Sequence, residues 1–200
     1  PAESLDIIVV DNASGDDSVS TLSKLPGITV VASPTNRGFA GGCNLGVQKA
    51  TGEVVAFLNN DAKPHPHWIS TAMATMSTSP RIGAIASSVF DWDGKNIDYQ
   101  GSAMAWYGMG YRPLTGRKRS AKTDPSRREV LFGTGSAMFV RRDVFEELGG
   151  FDERFFMFFE DVDFGWRLNL AGWSFVHEPN SIAFHKFHQS MSSIPPYQEQ

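Results

Sequence analysis

Three short apolar runs separated by helix-like segments constrain the fold most strongly. Residues 5–10, Ile28–Ala32 and Val54–Leu58 are rich in Ile, Val and Leu, with little polar alternation. Runs of this kind are typical of strands that are covered on both faces. Helices are predicted over residues 16–24 and 40–50, between these runs. The spacing therefore predicts an α/β fold with a mostly parallel sheet and helices on both faces.

The rest of the chain continues this alternation less regularly. Helices are predicted over Trp68–Met76, residues 143–148 and residues 160–171, and strands over residues 82–89, around Ile97, and over residues 173–176 and 182–184. Residues 101–128 lose the pattern and are rich in Gly, Pro and basic side chains, which indicates a long functional or mobile loop.

Composition limits the class of protein. A chain of 200 residues with 41% hydrophobic content can fill one core, so one domain is expected over residues 1–200. The net charge of −4 argues against a nucleic-acid partner. Cys43 is the single cysteine, which excludes an internal disulfide and favours a reducing, cytoplasmic location. No apolar run reaches the ~18 residues of a membrane span.

Residues 155–163 place four phenylalanines directly before three acids. If the rings are buried, they draw the carboxylates into a low-dielectric environment that shifts their pKa, as catalytic acids and bases require. Asp163 and Arg167 have the i,i+4 spacing of a surface ion pair, and Glu160 shares that helix face. Asp161 has no such partner. The alternative is that all three acids only occupy the first turn of a helix.

Two further acids close apolar strands. Asp11 follows the first run and Asp61 the third, so both are expected at the carboxyl-end rim of the sheet, where ligands bind in open α/β sheets. A carboxylate there suits Mg²⁺ or Mn²⁺, and His185 or His188 can complete such a site. An Asx-type turn is the alternative reading of Asp61.

The glycine-rich segment after the second strand has a weaker signal. Asn36, Arg37 and Gly38 precede a helix start, where backbone N–H groups suit a diphosphate or a nucleobase edge. The segment matches neither a Walker loop nor a dinucleotide fingerprint, so a flexible turn is the alternative.

Taken in series, five motifs resemble the inverting glycosyltransferases of family 2, which have a GT-A fold, and most of all their rhamnosyltransferase-like branch. The motifs are IVVDNAS (8–14), NRGFAGGCNLG (36–46), FLNND (57–61), GGFDERFF (149–156) and FEDVD (159–163). They occur in the family's order over nearly the whole chain. The resemblance implies transfer of a sugar, with inversion, from a nucleotide-diphosphate donor such as dTDP-rhamnose or a UDP-sugar to a glycan or lipid-linked acceptor.

The resemblance also implies residue roles. Asp161 is expected to be the general base, and Asp61 and His185 to bind the divalent cation. The nucleotide-sugar donor is expected to contact Asp11, Asn36, Arg37, Gly38, Asn44, Asn59 and Asn60. Residues 1–100 form the expected nucleotide-sugar-binding half, and residues 101–200 the acceptor and catalytic half.

The chain departs from the family pattern in two places. The DxD-type position holds Asn59 and Asn60 before its only acid, and the strand and helix that normally precede residues 5–10 are absent from this sequence. A non-catalytic nucleotide or glycan-binding relative, or a fragment of a larger glycosyltransferase, is the alternative function. A phosphohydrolase fits less well, because Asp11 lacks a neighbouring second acid.

The basic loop allows one more expectation. Residues 101–128 hold six arginines and lysines besides Arg112, together with Trp106, Tyr107 and Tyr111. A solvated basic loop is the default interpretation. The functional one is an acceptor loop whose cations meet a lipid-linked phosphate or an anionic membrane, giving peripheral contact at the inner membrane face.

Overall fold

The computed structural model describes residues 5–120 and 126–186. The strands are β1 Ile7–Asp11, β2 Ile28–Ala32, β3 Val54–Leu58, β4 Ala62–Pro64, β5 Ile82–Asp91, β6 Ile97–Tyr99, β7 Ala103–Met104, β8 Gly110–Tyr111, β9 Arg128–Glu129, β10 Ala137–Arg141 and β11 Ser174–His185. The helices are α1 Ser18–Leu22, α2 Gly38–Val47, α3 Trp68–Met76, α4 Arg142–Glu147 and α5 Glu160–Leu170, with a short 3-10 helix at Glu153–Phe155.

The main sheet is mixed. Its strands lie in the order β3-β10-β5-β11-β4, with β6 paired to β5 and β9 to β11. Only β5 and β11 run parallel in this sheet, and its other pairs are antiparallel. The α/β class is confirmed. The expected mostly parallel sheet is instead mixed, because β10 inserts between β3 and β5 and runs against both.

The first two strands form a separate parallel pair. β1 and β2 align from Ile7 opposite Ile28 to Asp11 opposite Ala32. Within residues 5–120 and 126–186, β1 pairs only with β2, and β3 pairs only with β10. The βαβ spacing thus predicts each strand correctly, but the described strands do not join into one continuous sheet.

Aromatic side chains fill the core around β5 and β10. Trp68 of α3 is 3% exposed, and its ring lies 4.4 Å from that of Phe139, centroid to centroid. Its indole N–H donates to the buried Ser87 hydroxyl over 2.8 Å, so the polar edge of the ring is satisfied. Burial of each such side chain stabilises the fold by roughly 1.5–3 kcal/mol. This core holds the strand ends that carry the polar residues described below.

Most predicted elements are present. The bounds of β2, β3 and α3 agree with the prediction to the residue. The two strands predicted over residues 173–176 and 182–184 are one strand, β11, whose register shifts between Glu178 and Ile182. The predicted loop over residues 101–128 contains the small β7–β8 hairpin and the start of β9. Within the described ranges, no helix has the length and apolar character needed to cross a bilayer.

Candidate functional site

Asp61 and His185 meet at one edge of the main sheet. β4 follows Asp61 directly and pairs with the end of β11, which sets His185 opposite Ala62. The Lys186 N–H donates to the Asp61 carbonyl over 2.9 Å and closes this edge. As a result, Nε2 of His185 lies 3.0 Å from Oδ1 of Asp61. The two residues predicted to bind a cation are therefore neighbours.

Asp98 holds the other side of the His185 ring. Its Oδ2 lies 2.8 Å from Nδ1 of His185, and its Oδ1 accepts a hydrogen bond from Arg112 over 3.0 Å. Burial disfavours the charged imidazole, but the hydrogen bond to Asp98 and the charges of Asp98 and Asp61 outweigh burial and raise the pKa of His185. The ring is therefore fixed between two carboxylates.

Asn59 completes this cluster. Its Nδ2 lies 3.4 Å from Nε2 of His185, and its Oδ1 is buried without a hydrogen-bond partner. A buried amide oxygen without a partner is costly, and a cation would satisfy it. Carboxylate and amide oxygens suit Mg²⁺ or Mn²⁺, which proteins bind through one or two carboxylates plus substrate phosphates, and Mn²⁺ also tolerates an imidazole ligand. Among the described residues, no three His, Cys, Asp or Glu side chains form a metal group by themselves.

Asp161 lies at the start of α5, where its carboxylate accepts two backbone hydrogen bonds. The Gly135 N–H donates to Oδ2 over 3.1 Å and the Val162 N–H to Oδ1 over 2.8 Å. Asp161 keeps part of its surface open to solvent. The surrounding protein is nevertheless dense enough for burial to raise its pKa, against the opposing effects of the Gly135 N–H and the Arg112 charge.

Glu160 differs from its neighbour. The residue is 5% exposed, and its Oε2 is buried without a hydrogen-bond partner. Burial, together with the charge of Asp161, raises the pKa of Glu160 to about 8. Glu160 is therefore largely protonated near neutral pH. Two adjacent carboxyl groups with different environments are the usual arrangement for separate acid and base roles.

The aromatic run before these acids does not form a buried wall, which corrects the expectation from sequence. The side chains of Phe155, Phe156, Phe158 and Phe159 are between 39% and 48% exposed. The last three have φ between 57° and 69°, a region that non-glycine residues rarely occupy. The loop is held by its backbone, since the Phe156 carbonyl accepts a hydrogen bond from the Ala40 N–H over 3.2 Å. Burial of Glu160 and Asp161 thus comes from elsewhere, including the Gly135 segment.

Asn12 links the end of β1 to the start of α2. Its Oδ1 accepts the Arg37 N–H over 2.9 Å, and its Nδ2 donates to the Gly38 carbonyl over 2.8 Å and to Oδ1 of Asn36 over 3.0 Å. Oδ1 of Asn36 also accepts the Gly38 N–H over 2.9 Å. The predicted nucleotide-loop residues are therefore gathered at one strand end. Their first N–H groups have protein partners, so the arrangement does not favour a diphosphate at this helix start.

Asp11, at the carboxyl end of β1, is 7% exposed and accepts the Ser14 N–H over 3.2 Å. Asn60 is exposed beside Asp61. The structure thus places Asp11 at the strand end that the sequence predicts, and Asn60 at the surface.

Arg37 and Asn44 also make structural contacts. One Arg37 nitrogen lies 2.9 Å from both carboxylate oxygens of Glu153. The Asn44 amide donates to the Phe151 carbonyl over 2.8 Å and accepts the Phe151 N–H over 3.0 Å. Both residues thus fix the 149–156 segment against α2. Asp163 and Arg167 form the predicted ion pair at 2.6 Å.

Sequence reasoning missed Asp98, Arg112 and Asn12. Asp98 could have been noticed, because an acid between Ile97 and Tyr99 interrupts an apolar segment. In the structure all three residues of this strand are buried. Arg112 gave no such signal, since it is one of several cations in an irregular segment. His188 lies outside the described residues.

The comparisons with known proteins bear on the family and the fold. The family model of glycosyl transferase family 2 matches residues 1–149. The chain is 30% identical, over 208 aligned residues, to N-acetylglucosaminyl-diphospho-decaprenol L-rhamnosyltransferase of Mycobacterium tuberculosis. That alignment covers 92% of this chain and 67% of the mycobacterial protein.

Two solved structures share the fold. GalNAc-T7, solved with UDP, GalNAc and Mn²⁺, matches with a TM-score of 0.72 and 21% identity over 90% of this chain and 37% of its own. The mannosyltransferase PcManGT of Pyrobaculum calidifontis, solved with GDP-Man and Mn²⁺, matches with a TM-score of 0.68 and 20% identity over 94% of this chain and 50% of its own. The chain thus spans half or less of these solved chains.

At such identities the two structures show a GT-A-like fold and nothing further, whereas the family model covers most of the chain. The chain belongs to glycosyl transferase family 2.

Proposed function

We propose that this protein transfers a sugar from a nucleotide-diphosphate donor to an acceptor hydroxyl, with inversion and with the help of a divalent cation. The approach of Asp61 to His185 carries the proposal: the two residues lie 124 positions apart in sequence and 3.0 Å apart in space. Family membership supports the reaction class. The N-terminal half would hold the donor and the C-terminal half the catalytic base.

The metal-binding residues would be Asp61 and His185, with the Asn59 amide oxygen beside them. Mg²⁺ or Mn²⁺ bound there would neutralise charge that develops on the departing diphosphate. Asp11, Asn36, Arg37, Gly38 and Asn44 would shape the nucleotide pocket, together with Asn59 and Asn60. In the free protein, Arg37 and Asn44 contact the 149–156 segment, so a bound donor would lie against an already ordered wall.

Asp161 would be the general base. Its two backbone hydrogen bonds orient the carboxylate and oppose the effect of burial, which raises the pKa of Asp161. The acceptor oxygen forms a bond to the anomeric carbon as its proton passes to Asp161. The bond from that carbon to the diphosphate oxygen breaks, and its electron pair leaves with the nucleoside diphosphate. Attack from the face opposite the leaving group inverts the anomeric configuration.

The acceptor would be lipid-linked or a glycan, and the donor dTDP-rhamnose or a UDP-sugar. The mycobacterial relative, whose name specifies a diphospho-decaprenol acceptor and L-rhamnose, supports this choice. A cytoplasmic enzyme that meets the inner membrane face would reach such an acceptor.

A cationic surface around Trp92 supports membrane contact. Nζ of Lys63 lies 4.0 Å and Nζ of Lys186 lies 4.7 Å from the centroid of the half-exposed Trp92 ring. Arg119 lies 4.0 Å from the centroid of the nearby Phe90 ring. Tryptophan with lysines is a typical interfacial combination, and each cation near an anionic bilayer adds about 1 kcal/mol. Lys186 follows His185, so this surface borders the proposed metal site.

Vesicle co-sedimentation tests the membrane contact. The double variant Lys63→Glu with Lys186→Glu should lose binding to phosphatidylglycerol-containing vesicles. Its control, Lys24→Glu with Lys49→Glu, makes the same charge change at exposed positions just beyond the ends of α1 and α2 and should keep vesicle binding. Equal losses of vesicle binding in the two double variants would show an effect of net charge only and would contradict a membrane contact at the Trp92 surface.

A turnover assay tests the reaction. The protein is incubated with Mn²⁺, a prenyl-diphosphate-linked sugar, and in turn dTDP-rhamnose, UDP-glucose, UDP-N-acetylglucosamine or GDP-mannose. We expect acceptor-dependent release of a nucleoside diphosphate with one donor, and proton NMR should show an inverted anomeric centre. Donor binding without turnover for every donor, or a retained configuration, would contradict the proposal.

A further inference from the structure

We infer that Asp98 is a positioning residue for the proposed metal site, because it orients His185 and selects which ring nitrogen faces Asp61. The inference rests on the proposed role of Asp61 and His185. Asp98 is 4% exposed, and its Oδ2 lies 2.8 Å from Nδ1 of His185, on the opposite side of the ring from Asp61.

The chemistry of imidazole gives this contact its consequence. A neutral histidine has one N–H and one lone pair, and only the nitrogen with the lone pair can bind a metal. An ionised carboxylate accepts but cannot donate, so Asp98 requires an N–H at Nδ1 of His185, and Asp61 likewise faces an N–H at Nε2 in the metal-free protein. When a cation takes the place of the Nε2 proton, Asp98 keeps the remaining proton on Nδ1, and the Nε2 lone pair faces the space beside Asp61 and Asn59. Hydrogen bonds of this kind to metal-binding histidines fix the tautomer and the ring orientation.

Asp98 is itself held from two directions. Its Oδ1 accepts a hydrogen bond from Arg112 over 3.0 Å, and its backbone carbonyl accepts the Thr115 hydroxyl over 2.7 Å. β6 is paired to β5, which fixes the backbone around it. The carboxylate therefore cannot rotate away from His185 without breaking an ion pair. A rigid outer partner is the support that a precise site requires.

Arg112 links Asp98 to the region of the site that contains Asp161. The same charge that pairs with Asp98 also lowers the pKa of Asp161, although burial of Asp161 dominates. Arg112 belongs to the basic segment before β9, so this segment helps to build the site through Asp98. At least one cation of the basic segment therefore has a structural role, and not all of its cations are available to bind an acceptor.

Mn²⁺ affinity of the purified protein, measured by electron paramagnetic resonance without donor or acceptor, tests the inference. We expect Asp98→Asn to weaken Mn²⁺ binding by about 10- to 100-fold, as loss of an outer partner does at other sites. Asp98→Glu, which keeps the charge but moves the carboxylate, should also bind several-fold more weakly. Asp93→Asn removes an exposed acid from the β5–β6 turn and should bind as the wild type does.

The two variants separate position from charge. If Asp98→Glu binds Mn²⁺ as tightly as the wild type, only the charge of Asp98 matters and the positioning role is overturned. If Asp98→Asn does not fold by circular dichroism, Asp98→Glu alone decides the question. If neither Asp61→Asn nor His185→Ala weakens Mn²⁺ binding, the proposed metal site itself is wrong. If those two weaken binding and the Asp98 variants do not, only the present inference fails.

Discussion

The carboxylate of Asp61 lies 3.0 Å from Nε2 of His185, in a contact made by antiparallel pairing of β4 with the end of β11. Asp61 comes from the N-terminal half of the chain, and His185 from the last described strand. The pairing register decides this contact, because a one-residue slip would turn His185 to the opposite face of the sheet. The site thus depends on the fold of nearly the whole chain.

Loss of the Asp61 carboxylate should uncouple donor binding from metal. Wild-type affinity for a nucleoside diphosphate, measured by calorimetry, should rise with Mn²⁺ and fall when EDTA is added. The Asp61→Asn variant should lose that dependence on Mn²⁺. Its metal affinity should fall at least as far as the about 10- to 100-fold loss that removal of an outer hydrogen-bond partner causes at other metal sites. Asp93→Asn serves as the matched control. Equal nucleotide affinity with and without Mn²⁺ in the wild type would contradict a metal-dependent donor site.

Glu160 should make the protein less stable as pH rises. Its folded-state pKa of about 8 lies above the ordinary value of 4.5, so between these values the folded state binds more protons than the unfolded state. The free energy of unfolding then decreases as pH rises from about 4.5 to about 8, by an amount on the order of a few kcal/mol. Glu160→Gln should remove this decrease in urea titrations.

Glu147→Gln, at an exposed position of α4, should leave the same pH dependence unchanged. Asp161→Asn should weaken it, because the Asp161 charge contributes to the raised pKa of Glu160. A Glu160→Gln variant with the wild-type pH profile would show that Glu160 is ionised in the folded protein at neutral pH.

Gly135 should tolerate no side chain. A Cβ at this position would lie 2.7 Å from Cε1 of Phe39, closer than packed carbon atoms approach. Gly135→Ala should therefore destabilise the protein by about 1–3 kcal/mol and displace the N–H that Asp161 accepts, lowering turnover. Gly15→Ala is the matched control, since nothing lies within 4 Å of a Cβ there. Wild-type stability of Gly135→Ala in thermal unfolding would refute this packing.

The sequence was sufficient for the elements but not for their pairing. Apolar runs and turn residues predict β2, β3 and α3 well, because these signals are local. The mixed sheet was not predictable in this way, since β10 reaches β3 through contacts between residues about 80 positions apart. The phenylalanines of residues 155–159 were also not predictable in this way: composition indicates burial, whereas all four are exposed, and Phe156, Phe158 and Phe159 have left-handed φ angles.

The residues of the candidate site also divide into those that the sequence predicts and those that only the structure identifies. Asp61, His185 and Asp161 could be proposed because strand ends and a family resemblance mark them. Asp98 and Arg112 required the structure, since their importance comes from what they touch and not from a motif. Glu160 and Asp161 are adjacent in sequence, and burial raises the pKa of both, but the Gly135 and Val162 N–H groups and the Arg112 charge oppose that rise only at Asp161.

The central claim is that Asp161 is the base of an inverting sugar transfer, and the Asp161→Asn variant tests it most directly. Turnover with the active donor and acceptor should fall by about 10²- to 10⁴-fold, because the amide cannot take the acceptor proton. Calorimetry should show donor and Mn²⁺ affinities close to wild type, because the hydrogen bonds of the Asp161 carboxylate go to the Gly135 and Val162 N–H groups and not to Asp61 or His185. Asp163→Asn, two positions along the same helix, should keep most turnover. Full turnover of Asp161→Asn with intact donor binding would contradict the assignment.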